Sequence, residues 1–307
     1  MIISRTPYRI SFFGGGTDYP GWYRQHGGAV LSTTINKYCY LTCRYLPPFF
    51  EHKFRVVWSK IELGQSLEEI EHPAVRAVLR HLAVARGVEL HHDGDLPARS
   101  GMGSSSAFTV GLLHALYGLL GQMRSKAELA KEGIYVEQEL LQETVGSQDQ
   151  IAAEYGGLNH ITFLPNGEFS VRPLILSPER VCELESHLLL FYTGIRRTAA
   201  SVAQSYVTKI EAQRRQLRIM KDMVDEGLSI ISSGQSLTAF GELLHEGWLV
   251  KQSLSAQVSN PEIDGLYATA RAAGAIGGKI TGAGGGGFLL LFAPPETHLQ
   301  IKQALCN

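Results

Sequence analysis

Between Pro97 and Ala107 the chain reads Pro-Ala-Arg-Ser-Gly-Met-Gly-Ser-Ser-Ser-Ala. An apolar series at helical spacing follows: Phe108, Leu112, Leu113, Leu116, Leu119 and Leu120. A glycine loop that feeds a helix start is suited to hold an anion. The first turn has backbone N–H groups with no intrahelical partner, and the aligned peptide dipoles favour negative charge there. Glycine lets the backbone approach a phosphate closely, and a serine hydroxyl can serve the phosphate or a metal. On this loop alone a glycine turn with a serine N-cap is an equal reading.

Other phosphate signatures fail. A P-loop needs G-x-x-x-x-G-K-[ST], but Gly278-Lys279 has Ala273 where the first glycine belongs and Ile280 after the lysine. The H-R-D and D-F-G motifs of protein kinases are absent. A G-x-G-x-x-G occurs at Gly282, Gly284 and Gly287, but the apolar run Phe288–Phe292 follows where a dinucleotide fold needs a helix.

The chain has 307 residues, enough for one large or two ordinary domains. A net charge of −1 without a basic run argues against nucleic acid as a partner. No apolar stretch suggests a membrane span and no secretory signal opens the chain, so the expected compartment is the cytoplasm. Cys39, Cys43, Cys182 and Cys306 lack C-x-x-C spacing, and the 11 histidines lack zinc-ligand spacing. Glycine is in excess, with 33 residues concentrated at 14–16, 101–103 and 282–287. Three such loops far apart in sequence suggest backbone segments converging on one ligand.

Alternation predicts strands over Ile2–Phe13, 29–34, 38–45, 54–58 and 88–92, and the hairpin Leu158–Phe163 and Phe169–Pro173. Helical spacing fits 73–86. Ser125 and Glu128 form a capping box for a helix reaching to about Glu143, and Ser147 and Gln150 a second box that puts Asp149 in a first helical turn. The stretch Ser177–Arg180 is the expected junction between two halves, 1–176 and 177–307. Beyond it the pattern predicts a buried strand over 187–192, one long helix over 199–232, and helices over 237–254 and 261–273. The last of these has Ser259 and Glu262 as its box.

With the three loops placed, the chain resembles the GHMP kinases, the superfamily of galactokinase, homoserine kinase, mevalonate kinase and phosphomevalonate kinase. The first motif matches Arg5-Thr-Pro-Tyr-Arg-Ile-Ser-Phe-Phe-Gly-Gly-Gly-Thr-Asp18, the second Pro97–Ala107, and the third Gly278-Lys-Ile-Thr-Gly-Ala-Gly-Gly-Gly-Gly-Phe288. Galactokinases carry Glu-His where this chain has Gly15-Gly16. The triple glycine, with Ile35-Asn-Lys-Tyr38 after it, is most similar to the D-glycero-D-manno-heptose 7-phosphate kinase branch. The resemblance implies an α/β (α+β) two-domain fold, an N-terminal domain like ribosomal S5 domain 2 and a ferredoxin-like C-terminal domain, with the active site between them. Relatives usually continue past the last helix with one more strand, so the C-terminal domain is expected to lack it.

The resemblance further implies ATP and Mg²⁺ as cofactors and a sugar phosphate as substrate, phosphorylated at its anomeric hydroxyl. Gly101, Met102, Gly103, Ser104, Ser105 and Ser106 would cradle the nucleotide phosphates. Glu137, twelve residues before Asp149, and Ser105 would hold the metal, while Glu139 and Glu143 read as solvated helix-face acids. Asp149 would accept or orient the proton of the attacking hydroxyl, with Arg9 keeping it ionised. Gly15, Gly16, Thr17 and Asp18 resemble the sugar-binding turn, and Gly284 and Gly285 the loop that closes on substrate. Arg197, or else Lys279, would bind the phosphate the sugar already carries; either also reads as a surface charge. A kinase of an unphosphorylated sugar such as fucose, a non-catalytic sugar sensor and a homodimer stay open.

Overall fold

The computed structural model describes residues 1–195, 199–207 and 210–306. β1 (Ile2–Phe13) follows the predicted alternation, and its second half is buried on both faces, so Arg9 and Ser11 are buried with Tyr8, Ile10 and Phe12. The glycine turn leads to α1 (Pro20–His26), which has proline at its start. The two strands expected next are one, β2 (Gly28–Tyr45). No glycine or proline interrupts it after Gly28, and Thr33, Thr34, Ile35 and Tyr38 all favour extended backbone. β3 (Phe54–Val57) and β4 (Ile61–Gly64) form a hairpin.

α2 (Pro73–His81) ends before the predicted 86. Ala83 takes a φ of 48°, and the Val84 N–H reaches back to Leu79 O at 3.0 Å, a helix stop made without glycine. β5 (Val88–Gly94) precedes the serine loop and α3 (Ser104–Leu120), which closes at Gly121. The Ser125–Glu128 box opens α4 (Lys126–Tyr135) with both of its bonds present. α4 then widens into a π-helical turn over Val136–Leu140 instead of running on to Glu143.

α5 (Gln148–Tyr155) starts where expected, but Ser147 forms no box; its hydroxyl accepts from Gln138 Nε2 at 3.2 Å. β6 (Leu158–Phe163) and β7 (Phe169–Pro173) are the predicted hairpin. Ser177 caps α6 (Pro178–Ser186), a helix the sequence reading passed over. β8 (Leu188–Tyr192) is less buried than expected, since Leu190 and Tyr192 are exposed. The single long helix is two, α7 (Ala199–Val207) and α8 (Arg214–Ser232), the second entered through a turn in which Gln213 N–H bonds Ile210 O. α9 (Thr238–Gln252) and α10 (Pro261–Ala272) follow. Asn260, not Ser259, caps α10, while Ser259 donates to Asp264. β9 (Gly277–Ile280), β10 (Phe288–Phe292) and α11 (His298–Leu305) complete the mixed α/β chain.

Compactness divides the chain into two units that interleave in sequence. The first comprises Met1–Arg9, Thr34–Ala98 and Gly103–Gly156, the second Ile10–Thr33, Arg99–Met102 and Gly157–Asn307. In the first unit the strand order is β4-β3-β5-β2, with only β3 and β5 parallel, and the core includes Val75, Val78, Leu79, Leu90, Leu112 and Leu116. In the second, β6 joins the opening residues of β2 to β7, and a separate antiparallel sheet runs β8-β10-β9. Phe12, Phe13 and Phe292 meet Phe240 in that unit's core.

Gly14 shows how tightly the first glycine turn is set. Its φ is +81°, and a Cβ there would overlap Ala29 O and lie 2.7 Å from Val224 Cγ2. Gly14→Ala is therefore expected to destabilise the protein by about 3 kcal/mol or more in urea unfolding. Gly167→Ala, at a φ of +89° with nothing within 4 Å, should cost only about 1–2 kcal/mol. Equal losses would place the constraint on backbone conformation rather than on contact.

Candidate active site

In the first unit the serine loop, the π-turn and the start of α5 bring the predicted catalytic and metal residues together. Gly103 precedes α3 in the left-handed region, at φ 74°. A Cβ there would lie 3.3 Å from Arg9 Cγ and 3.4 Å from Asp149 Oδ2, a close fit, and the left-handed backbone is what favours glycine at this point. Beneath it Arg9 grips Asp149 with a two-pronged contact: Nε donates to Oδ1 and Nη2 to Oδ2, both at 2.7 Å. Arg9 is buried, whereas the Asp149 side chain keeps 24 % of its surface exposed. The pair is held rigidly, with its carboxylate still open to a reactant.

Glu137 is fully buried. The α3 hydroxyls donate to it, Ser106 Oγ at 2.7 Å, Ser105 Oγ at 3.0 Å and Thr109 Oγ1 at 3.2 Å, and Gln150 Nε2 adds a further short contact. The π-turn accounts for this position, because its wider winding carries Glu137 inward where a regular helix gives no reason to choose it over Glu139. Glu139 is exposed, as expected. Glu143 is not a solvated helix-face acid: it lies past the π-turn, half-buried, with its N–H on Glu137 O at 2.9 Å.

Burial raises the Glu137 carboxyl to about 7, against the pull of its hydroxyl and amide donors and with the help of the nearby Glu143 charge. Between about pH 4.5 and 7 the folded protein therefore keeps a proton that the unfolded chain has lost. Stability of the metal-free protein is expected to fall as pH rises through that window. Thermal melts across the window should show this slope, and Glu137→Gln should reduce it.

The oxygen pair fits Mg²⁺. Ser105 gives its proton to Glu137, which leaves hydroxyl lone pairs for a cation. Among the described residues no group of three or more His, Cys, Asp or Glu could form a metal cage. Few protein oxygens, with water and phosphate completing the shell, is the pattern of a nucleotide-bound Mg²⁺.

In the second unit the first glycine turn closes on itself. Thr17 Oγ1 accepts the Ala29 N–H at 3.1 Å and lies 2.8 Å from Gly14 O, while Asp18 Oδ1 accepts the Gly16 N–H at 2.9 Å. Asp18 thus shapes the turn that also contains Gly15 and Gly16. The second and third glycine loops are built against each other. A Cβ on Gly101 would lie 2.6 Å from Thr281 O, one on Gly282 2.8 Å from Gly101 Cα, and the Phe288 N–H bonds Ser100 O at 3.2 Å. Met102 is fully buried. Gly284 and Gly285 are seated on Val258, whose carbonyl accepts the Gly285 N–H at 2.6 Å.

Lys279 is not a surface charge. It is buried, and its ammonium donates to Ser11 O and Phe12 O, each at 2.8 Å, which ties β9 to the strand feeding the first glycine turn. Lys251, missed in the sequence, does the same for the third loop by donating to Ile280 O at 3.4 Å and to Gly282 O. Arg197 lies outside the described residues. Thr109 and Gln150 were also missed. Ser105, Ser106 and Thr109 share one helix face by spacing, a row of donors that calls for a buried acceptor.

Comparison with known proteins identifies the family. The family model of the GHMP kinases N terminal domain matches residues 69–157, and that of the GHMP kinases C terminal region matches 228–307. The chain is 29 % identical to the D-glycero-alpha-D-manno-heptose 7-phosphate kinase of Campylobacter jejuni over 99 % of its own length and 93 % of the relative's. It is 26 % identical to the bifunctional fucokinase/GDP-fucose pyrophosphorylase of Arabidopsis thaliana, matching 97 % of this chain but 30 % of that protein. A solved D-glycero-D-manno-heptose 1-phosphate kinase from Bacteroides thetaiotaomicron shares the fold, with a TM-score of 0.80 at 24 % identity over 99 % of this chain and 92 % of that one.

Proposed function

The chain belongs to the GHMP kinases, and on that premise we propose that it transfers the γ-phosphoryl group of ATP to the anomeric hydroxyl of D-glycero-D-manno-heptose 7-phosphate, giving the 1,7-bisphosphate. The observation that carries the reading is the oxygen pair of Ser105, in the first turn of the helix that follows Gly103, and Glu137 from the π-turn, with the Arg9–Asp149 pair against that same glycine. The resemblance to the Campylobacter jejuni heptose 7-phosphate kinase supports this choice of acceptor.

In this reading residues 1–176 form the nucleotide-binding domain and 177–307 the second domain. Gly101 to Ser106 cradle the phosphates through backbone N–H groups and the α3 dipole. Ser105 and Glu137 would hold Mg²⁺, which would supply neutralising charge for the nucleotide phosphates. Asp149 takes or orients the proton of the attacking hydroxyl, and the Arg9 fork fixes the carboxylate and steadies negative charge growing on the hydroxyl oxygen. Gly15, Gly16, Thr17, Asp18, Gly284 and Gly285 contribute to the sugar site, with Lys279 bracing it from behind. The cytoplasm is the compartment that fits such a reaction.

Arg197 is the contact assigned to the sugar's own phosphate. Arg197→Met should raise KM for heptose 7-phosphate by roughly ten- to a hundredfold and leave KM for ATP unchanged. Equal loss on phosphorylated and unphosphorylated sugar would remove it from that role.

The similarity to a fucokinase favours one second reading, a 1-kinase of an unphosphorylated sugar. An ADP-release assay over heptose 7-phosphate, heptose, fucose, mannose and galactose separates the two. Turnover restricted to heptose 7-phosphate supports the proposal, turnover with fucose supports the alternative, and no turnover with any sugar indicates a sensor.

A further inference from the structure

The outward face of α8 carries its charges in an order that its own helix does not favour. Arg214, Arg215 and Arg218 stand at the N-terminal end, and Asp222, Asp225 and Glu226 follow. A helix dipole favours the opposite order, acids first and bases last. All six side chains are exposed, and among the described residues none of them forms an ion pair. At the helical repeat they fall within an arc of about 120°, so they form one stripe.

The stripe is symmetric in position and antisymmetric in charge. Arg218 and Asp222 lie two residues on either side of Met220, Arg215 and Asp225 five, and Arg214 and Glu226 six. A second α8 laid antiparallel across the first, with the two-fold axis at Met220, would set every arginine opposite an acid. Within the protomer Arg218 has Asp222 one turn away, but the two are not in ion-pair contact, and Arg214 and Arg215 have no acid of α8 within a turn. Ile219, 36 % exposed, flanks the stripe at its mid-length. An open groove of about 640 Å³ along Arg214, Arg215, Arg218 and Ile219 leaves room for incoming acidic side chains.

We propose that α8 is the self-complementary contact of a homodimer, paired antiparallel with α8 of a second copy through Arg214–Asp225, Arg215–Glu226 and Arg218–Asp222, each made twice by the two-fold axis. A two-fold contact uses the same patch on both copies, which is what this mirrored charge order supplies. Exposed ion pairs are individually weak and screened by salt, so the dimer depends on all six together and weakens at high ionic strength.

Sedimentation of the full chain over a concentration series, at about 50 mM and about 500 mM NaCl, tests this. The average mass should rise toward twice the protomer's at low salt and return toward one at high salt. Arg218→Glu and Asp222→Arg should each raise the dimer dissociation constant by about tenfold or more, because each places like charges opposite one another twice. The double variant R218E/D222R should restore association, since the exchanged charges stay equidistant from Met220. A monomer at every concentration overturns the proposal. A dimer indifferent to the single reversals, or one that the double exchange fails to restore, overturns it equally.

Discussion

Asp149→Asn should lower turnover by about 10²–10⁴-fold while ATP affinity stays within about twofold. The carboxylate is fixed by two Arg9 bonds of 2.7 Å and is still partly exposed, so it can meet a hydroxyl in one geometry only. An asparagine keeps the shape and one acceptor, but its amide donors face the Arg9 donor at Oδ2 and cannot take a proton. In the proposed reading the phosphate contacts reside in backbone N–H groups of the serine loop, which the substitution leaves in place. Single-turnover kinetics beside nucleotide titration gives both quantities, and a thermal melt confirms the fold. Near-normal turnover would remove Asp149 from the chemistry. A parallel loss of ATP affinity would point instead to Gly103, which rests on the same pair.

Glu137→Gln is expected to reduce turnover by roughly 10²-fold at ordinary Mg²⁺, equivalent to about 2.7 kcal/mol of transition-state stabilisation, with partial recovery as Mg²⁺ is raised. The substitution removes the carboxyl group at the centre of four donors and sets an amide N–H₂ among hydroxyls that already point their protons inward. Glu139→Gln should change nothing. Glu143→Gln is not a neutral control, because its charge raises the proton affinity of Glu137. Titration of Mg²⁺ against initial rate for the three variants separates the roles. Identical curves for Glu137→Gln and Glu139→Gln would make Glu137 a buried structural acid.

The segments legible in the sequence were those whose determinants are local. β1, β6 and β7 follow from alternation, and the Ser125–Glu128 box closes as its spacing requires. The α2 stop at Ala83 and the π-turn at Val136 carry no local signal, because neither uses the glycine or proline that usually marks such a departure. The same distinction runs through the site. Arg9 and Asp149 meet as the motif resemblance implied, and the Ser105–Glu137 contact was anticipated as a pair. The depth of Glu137 was not, since its burial depends on the π-turn and on Gln150 from another helix. Lys279 illustrates the converse. A lysine near a glycine loop invites an anion in sequence, whereas in the fold its ammonium is turned onto backbone carbonyls, as is that of Lys251, which no sequence signal singled out, and the two hold the loops from behind.

The most direct measurement is phosphorus NMR of the product formed from ATP, Mg²⁺ and D-glycero-D-manno-heptose 7-phosphate. One new phosphate resonance coupled to the anomeric proton is expected, formed in equal amount to ADP, with the original 7-phosphate signal retained. ADP release without that resonance, a phosphate coupled to any other carbon-bound proton, or no reaction at all would contradict it.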